Sequence, residues 1–221
     1  MLYVIATPIG NLEDITYRAV GVLGETNILI AENPSHSQKL LQHYKISGKK
    51  ILQFADHNEA KMLPKLIELL KTQNGAIMSD AGTPGVSDPG FRLVRACTEA
   101  GIPVTPLPGP SASVSALSAS GLPTDRFLFV GFLPKTLPKL KNILEIGNST
   151  ESTIICYESP QRISKTISNI AEIYPDAKIV IAREVSKLHE EFIRGNAKEV
   201  SSQLNKKVSI KGEITLLISF K

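Results

Sequence analysis

The stretch Ser79-Asp80-Ala81-Gly82-Thr83-Pro84-Gly85-Val86-Ser87-Asp88-Pro89-Gly90 decides how this chain folds. It follows a short apolar run, residues 75–78, and precedes a helical repeat of Leu93, Val94 and Cys97 that Gly101 is placed to end. Its three glycines and two prolines can neither extend a strand nor start a helix early. They force a tight turn in which backbone N–H groups lie bare. Small residues let a ligand approach the main chain. Asp80, at the carboxyl end of the expected strand, can accept hydrogen bonds from a hydroxyl or an amine. In open α/β sheets ligands bind outside the carboxyl ends of strands. Taken alone the stretch also reads as a plain connector. Two further loops of the same kind favour a ligand cleft.

Outward from it, the same alternation recurs. Residues 2–6 form a continuous apolar run, as expected of a strand buried on both faces. The turn of residues 7–14 follows, then a helix stripe at Ile15, Ala19, Val22 and Leu23, with Asp14 as its expected N-cap. Residues 27–31 and 51–54 read as strands, each followed by a helix, through Leu40 and Leu41 and through Met62, Leu66, Leu69 and Leu70. Residues 102–107 read as a fifth strand, which Pro103 and Pro106 push toward an edge. Pro108-Gly109-Pro110-Ser111-Ala112 then turns into a small-residue helix ending near Ser120. Strand, loop and helix in five repeats predict a parallel, Rossmann-like sheet.

After Gly121-Leu122-Pro123 the pattern changes. Residues 127–133, 153–157, 178–183 and 213–219 read as strands, with a further short strand within 187–195 and a short helix near Val200. Helices are expected within 140–146 and along Ile163, Ile167, Ile170 and Ala171. This half is mixed α/β. The fold class is therefore α/β with two domains, residues 1–122 and 123–221, and a ligand cleft between them.

The totals narrow the function. With 221 residues the chain suits one large domain or two small ones. A net charge of +4 permits an anionic partner such as RNA without demanding one. Cys97 and Cys156 lie in apolar runs and read as reduced core residues. The four histidines, His36, His43, His57 and His189, lack zinc-like spacing with them, so no metal is expected. The N-terminus has no basic leader, and no apolar run approaches the ~18 residues of a membrane span. A cytoplasmic protein is expected. None of the turn-rich loops is a Walker loop or G-x-G-x-x-G.

Thr7-Pro8-Ile9-Gly10-Asn11-Leu12, the 80–90 string and Pro108-Gly109-Pro110-Ser111-Ala112 occur in that order, followed by Gly121-Leu122-Pro123-Thr124-Asp125-Arg126-Phe127, Tyr157-Glu158-Ser159-Pro160 and Arg183-Glu184. Together they resemble the tetrapyrrole methylase family, in the branch that acts on small-subunit ribosomal RNA. The match runs from Leu2 to Ile218. The resemblance implies S-adenosylmethionine between two α/β domains, a homodimer, and 2′-O-methylation of a cytidine ribose in 16S ribosomal RNA. Neither DNA nor a membrane is an expected partner. The family pattern places the donor against Pro8, Asp80, Gly82, Thr83, Ser87, Ser111 and Ala112. It adds Leu133, Tyr157 and the Lys211-Gly212-Glu213-Ile214 segment.

Three departures bear on RNA docking rather than on the donor. Glu32-Asn33-Pro34-Ser35-His36 stands where the family has Glu-Asp-Thr-Arg-His, and Gln161 precedes Arg162 where it has His. A further C-terminal segment of usual members is lacking. The charged run 183–195 resembles the family's second-domain motif. It is a candidate RNA-facing wall, with Arg183, Lys187 and Arg194 near phosphates and Arg162 beside them. A ribose hydroxyl is a poor nucleophile, so a base or cation should assist; Glu184, Lys187, His57 and Glu32 are the candidates. His57 reads equally as a loop residue capping the next helix. Competing functions keep the fold with a tetrapyrrole or other small-molecule acceptor, or a non-catalytic RNA-binding or ribosome-assembly role.

Overall fold

The structure is a computed structural model, and it describes residues 1–206 and 209–221. The chain divides into two units, Met1–Ser111 and Ala112–Lys221.

In the first unit, strands β1 (Leu2–Ile5), β2 (Ile28–Ala31), β3 (Lys50–Gln53), β4 (Gly75–Met78) and β5 (Val104–Leu107) alternate with helices α1 (Tyr17–Glu25), α2 (Pro34–His43), α3 (Glu59–Thr72) and α4 (Phe91–Glu99). All strand pairs are parallel, in the order β3-β2-β4-β1-β5. Because side chains alternate across a strand, the apolar runs feed two cores. Leu2, Ile28, Ile30 and Ile77 pack with Leu66, Leu70, Leu93 and Cys97 on one face. Ile5, Leu29, Ala76 and Met78 pack with Ala19, Leu23, Leu40 and Leu41 on the other. Each of the Leu, Ile and Met side chains contributes roughly 1.5–3 kcal/mol of transfer free energy. β5 is an edge strand, as its prolines require. The order sets β4, β1 and β5 side by side, so the three turn-rich loops leave neighbouring strand ends.

One cap differs from expectation. Asp14 ends a short 3-10 turn (Leu12–Asp14) capped by Asn11, and Thr16 caps α1 by accepting from the Ala19 N–H at 3.2 Å. A threonine hydroxyl three residues before its donor satisfies one of the orphan first-turn N–H groups of the helix.

The second unit holds α5 (Ala112–Ser118), β6 (Phe127–Phe132), α6 (Leu137–Ser149), β7 (Thr153–Glu158), α7 (Ile163–Ile173), β8 (Lys178–Arg183), β9 (Glu191–Asn196), α8 (Ala197–Leu204) and β10 (Ile214–Ser219). The sheet order is β6-β7-β10-β8-β9, parallel at β6–β7 and antiparallel elsewhere. Leu140, Leu144, Ile163, Ile167, Val200 and Leu204 cover one sheet face. Ala116 and Leu117 of α5 join Ile155, Val180, Ala182 and Leu217 on the other. That burial puts α5 in the second unit, so the division falls after Ser111 and not at residue 122. α6 runs longer than residues 140–146 because Pro138 sits in its first turn, where its missing N–H costs nothing.

Candidate functional site

In the first unit the three loops are tied together by their own backbone. The Thr7 N–H donates to the Gly82 carbonyl at 2.8 Å, and the Gly82 N–H returns to the Thr7 carbonyl at 3.0 Å. The Thr7 hydroxyl donates to the Ser79 carbonyl at 3.0 Å. Thr83 Oγ1 donates to the Pro110 carbonyl at 3.3 Å, joining the loop after β4 to the loop after β5. Ser87 stands at φ 62° and Gly90 at φ 135°. A Cβ on Gly90 would lie 3.1 Å from Ile77 Cδ1 and 3.2 Å from the Gly85 nitrogen, so only glycine lets the loop close onto α4. A left-handed serine is a conformation kept where the surroundings over-determine it, and such positions cluster at ligand sites. Pro8 is buried, whereas Ser111 and Ala112 are half-buried.

Three carboxyls meet at this edge. β2 and β4 are neighbours in register (Ala31 opposite Met78), so Glu32 and Asp80 follow adjacent strand ends. Asp88 returns toward them from the loop. Burial, then the Glu32 charge, pushes the Asp88 carboxyl from 3.8 to about 6, with a Ser79 hydrogen bond opposing and the Asp80 charge adding. Burial and the Asp80 charge likewise raise Glu32, against a hydrogen bond from the Asp80 backbone. Asp80 Oδ1 is buried with no hydrogen-bond partner. A buried acceptor left unpaired costs ~1–3 kcal/mol, so the site is built to receive a donor group. The raised carboxyls ask for a positive charge among them. Among the described residues, no group of three or more His, Cys, Asp or Glu is placed to hold a metal ion. Of the other sequence candidates, His57 is exposed in the turn before α3. Asn58 takes the helix-capping position, and its side chain accepts from the Ala55 N–H at 2.9 Å.

In the second unit Glu184 and Lys187 belong to one brace. Glu184 Oε1 accepts from the Glu213 N–H at 2.8 Å and from Lys187 Nζ at 3.0 Å, while Lys187 reaches Glu213 Oε2 at 3.1 Å. The Glu213 backbone bond, outweighing desolvation, together with Lys187 holds the Glu184 carboxyl below its usual range. Burial opposes the Lys187 charge, but hydrogen bonds to Glu184 and Glu213 outweigh it and raise the ammonium. Both groups are therefore held charged, which suits them to fixing a developing charge better than to moving a proton. Glu184 and Ser186 adopt φ 52° and 68°, a strained pair around the turn. Gly212, at φ 94°, lies under Glu184: an added Cβ would meet Glu184 Cγ at 2.6 Å.

Leu133 and Ile214, both read as donor contacts, place their side chains in the core. Tyr157 is half-buried, edge-on to Phe129 (5.2 Å) and Phe132 (5.7 Å). The cations read as an RNA wall are all engaged within their unit. Arg183 binds Glu191 at 2.9 Å and the carbonyls of His189 and Lys211. Arg194 donates to the Ala119 and Ser120 carbonyls past the end of α5 and lies over the Phe192 ring. Arg162 donates to the Leu133 and Pro134 carbonyls and lies 3.3 Å from Glu158.

Two residues that the sequence reading quoted but gave no role matter here. Asp88 is the acid with the raised carboxyl. The Glu158 side chain, fully buried, accepts from the Ser159 N–H at 2.7 Å and from Thr166 Oγ1 at 2.8 Å. With Arg162 it locks the turn after β7 to the turn after β6. A glutamate closing an apolar strand, residues 153–157, was the available signal.

Comparison with known proteins places this arrangement. The chain is 48% identical over 219 residues to ribosomal RNA small subunit methyltransferase I of Hydrogenobaculum sp. (strain Y04AAS1), covering 99% of this chain and 95% of the relative. It is 42% identical over 221 residues to the protein of the same name from Thermotoga maritima, covering 100% of this chain and 98% of the relative. These two relatives are spanned almost end to end. Among solved structures, that of the methyltransferase CobJ superposes with a TM-score of 0.72 at 17% identity, covering 99% of this chain and 93% of that one, a likeness of fold. The model of the tetrapyrrole (corrin/porphyrin) methylases matches residues 1–201. The chain is a methyltransferase-type α/β protein that belongs to the tetrapyrrole (corrin/porphyrin) methylase family.

Proposed function

We propose that this chain transfers a methyl group from S-adenosylmethionine to the 2′-oxygen of a cytidine in 16S ribosomal RNA, acting as a homodimer. The relatives named for small-subunit ribosomal RNA support the substrate class. The observation that carries the donor assignment is the buried, unpartnered Asp80 Oδ1 among three carboxyls at the tied loops. The donor offers what these atoms lack: ribose hydroxyls, an α-amine and a positive charge. Bound there, it would supply an electrophilic methyl carbon on a sulfonium that leaves as a neutral thioether, with the hydroxyl proton passing to water.

The chain's own residues then have stated tasks. Asp80 accepts a hydrogen bond from a donor hydroxyl or amine. The bonded pair Thr7 and Gly82 and the Thr83–Pro110 tie fix the loops so that small residues admit the ligand against the main chain. Glu32 and Asp88 match its positive charge. Preformed positioning of this kind contributes much of a bimolecular rate. Lys187, held charged by Glu184 and Glu213, is a fixed cation for the acceptor side.

The test is calorimetric titration with S-adenosylmethionine, followed by transfer of labelled methyl to small ribosomal subunits that lack the modification. Micromolar donor binding that falls at least about tenfold in Asp80→Ala, the loss of one hydrogen bond to a buried carboxylate, is the expected result. Unchanged donor affinity in that variant, or no methyl transfer by the parent, overturns the reading.

A further inference from the structure

Arg162, Arg183 and Arg194 of the second unit are occupied, yet one surface of it holds cations that are not. Strand β6 is a sheet edge, and its last residue, Phe132, is 63% exposed, with its ring edge against Tyr157. Beside it, Pro134, Pro138, Lys139, Asn142 and Ile143 complete an open groove of about 580 Å³. Its walls are apolar and stiff, since two of them are proline rings. Arg162, donating to the Leu133 and Pro134 carbonyls, pins its rim. Residues 134–143 carry Lys135, Lys139 and Lys141 and no acid. Lys141 stands 4.0 Å from Glu145. Among the described residues, Lys135, Lys139 and Asn142 have no hydrogen-bond or ion-pair partner. Thr136, at the start of α6, makes no side-chain cap bond.

An exposed flat ring, a free side-chain amide and an unpaired lysine in one groove, with a second unpaired lysine, Lys135, next in sequence to its Pro134 wall, are the features that hold single-stranded RNA: bases stack on the ring, and phosphates track the cations. We propose that this groove receives one unstacked base of the RNA substrate. The base lies against Phe132, the Asn142 amide meets its edge, and Lys135 and Lys139 take the flanking phosphates. This inference rests on the RNA-methylating reading above. A second copy of the chain is a poorer occupant, because a two-fold interface here would bring four unpaired lysines together.

The test measures binding of the full-length protein to small ribosomal subunits that lack the modification, across a salt series. Phe132→Ala should weaken binding about 5- to 150-fold, the range of one base–aromatic stack, and Phe132→Tyr should restore it. The double variant Lys135→Ala/Lys139→Ala should flatten the salt slope by about 1.4, two single-strand phosphate contacts. The far-ultraviolet circular dichroism spectrum and the thermal midpoint should match the parent's in all three, which shows that each variant is folded. A parent that binds and methylates, with variants that match it, overturns the groove and leaves the methyltransferase reading standing. A parent that neither binds nor methylates overturns that reading, and the groove with it. Variants that alter sedimentation but not RNA binding mark a protein-facing surface and overturn the groove.

Discussion

Asp88→Asn separates stability from ligand binding at the first unit's loops. The parent carboxyl is pushed from 3.8 to about 6 by burial and then by Glu32. A folded-state value above the unfolded one means that the native state holds a proton the unfolded chain has lost. Stability therefore falls as the pH rises from about 4 to about 6, and the deficit is complete above that window. Two steps of ~1.4 kcal/mol set a ceiling of ~3 kcal/mol. Asp88 is partly exposed, and screening reduces the expected deficit to about 1 kcal/mol. Asparagine keeps the shape and removes the charge. Without donor, Asp88→Asn should raise the thermal midpoint by roughly 2–4 °C at pH 7.5 and by much less near pH 4.5. The same change should weaken donor binding in calorimetry, since a charge matched to the ligand is gone. A gain in stability with a loss of function is the pattern expected where a site is strained for its ligand. A variant less stable than the parent at pH 7.5, or equally displaced at both pH values, would refute the argument that Asp88 is held out of its preferred state.

Further outcomes follow from the same contacts. Donor affinity of the parent should fall as the pH drops below about 6, by at most tenfold per pH unit for this one carboxyl, because protonated Asp88 no longer faces the ligand's charge; calorimetry from pH 5 to 8 checks it. Glu158→Ala should destabilise the protein by ~3 kcal/mol in urea denaturation, because it leaves the Thr166 hydroxyl and the Ser159 N–H without their acceptor and Arg162 without its counter-charge. Gly212→Ala should cost ~1–3 kcal/mol in the same assay, since its Cβ would sit 2.6 Å from Glu184 Cγ on a backbone at φ 94°.

Much of the fold is legible because it follows from short-range patterns. The continuous apolar run at residues 2–6 reads as a strand buried on both faces and the short one at 75–78 as a strand, and they are the interior strands β1 and β4. The Gly- and Pro-rich loops read as a cluster, and they meet because β4, β1 and β5 are neighbours. The fate of the charges is not legible in this way. Arg194 ends on carbonyls 74 and 75 residues away, Arg162 on carbonyls 28 and 29 residues away, and Lys187 on Glu213. Nothing in the local spelling of a basic run announces such partners. α5 is made of small residues whose loyalty is decided by what they pack against, which is why the division lies at Ser111. Asp88 looks like any turn aspartate until β2 and β4 bring Glu32 and Asp80 beside it. The Phe132 groove needs a strand edge, a pinned turn and the first turns of α6 at once.

The central claim is that this chain methylates a cytidine ribose in small-subunit ribosomal RNA. The most direct measurement maps the product: 16S RNA from modification-deficient subunits, treated with the protein and S-adenosylmethionine, is digested with alkali and read by mass spectrometry. The account predicts one alkali-resistant dinucleotide carrying a 2′-O-methylcytidine. Methyl groups found on a base, on another nucleotide or not at all would contradict it.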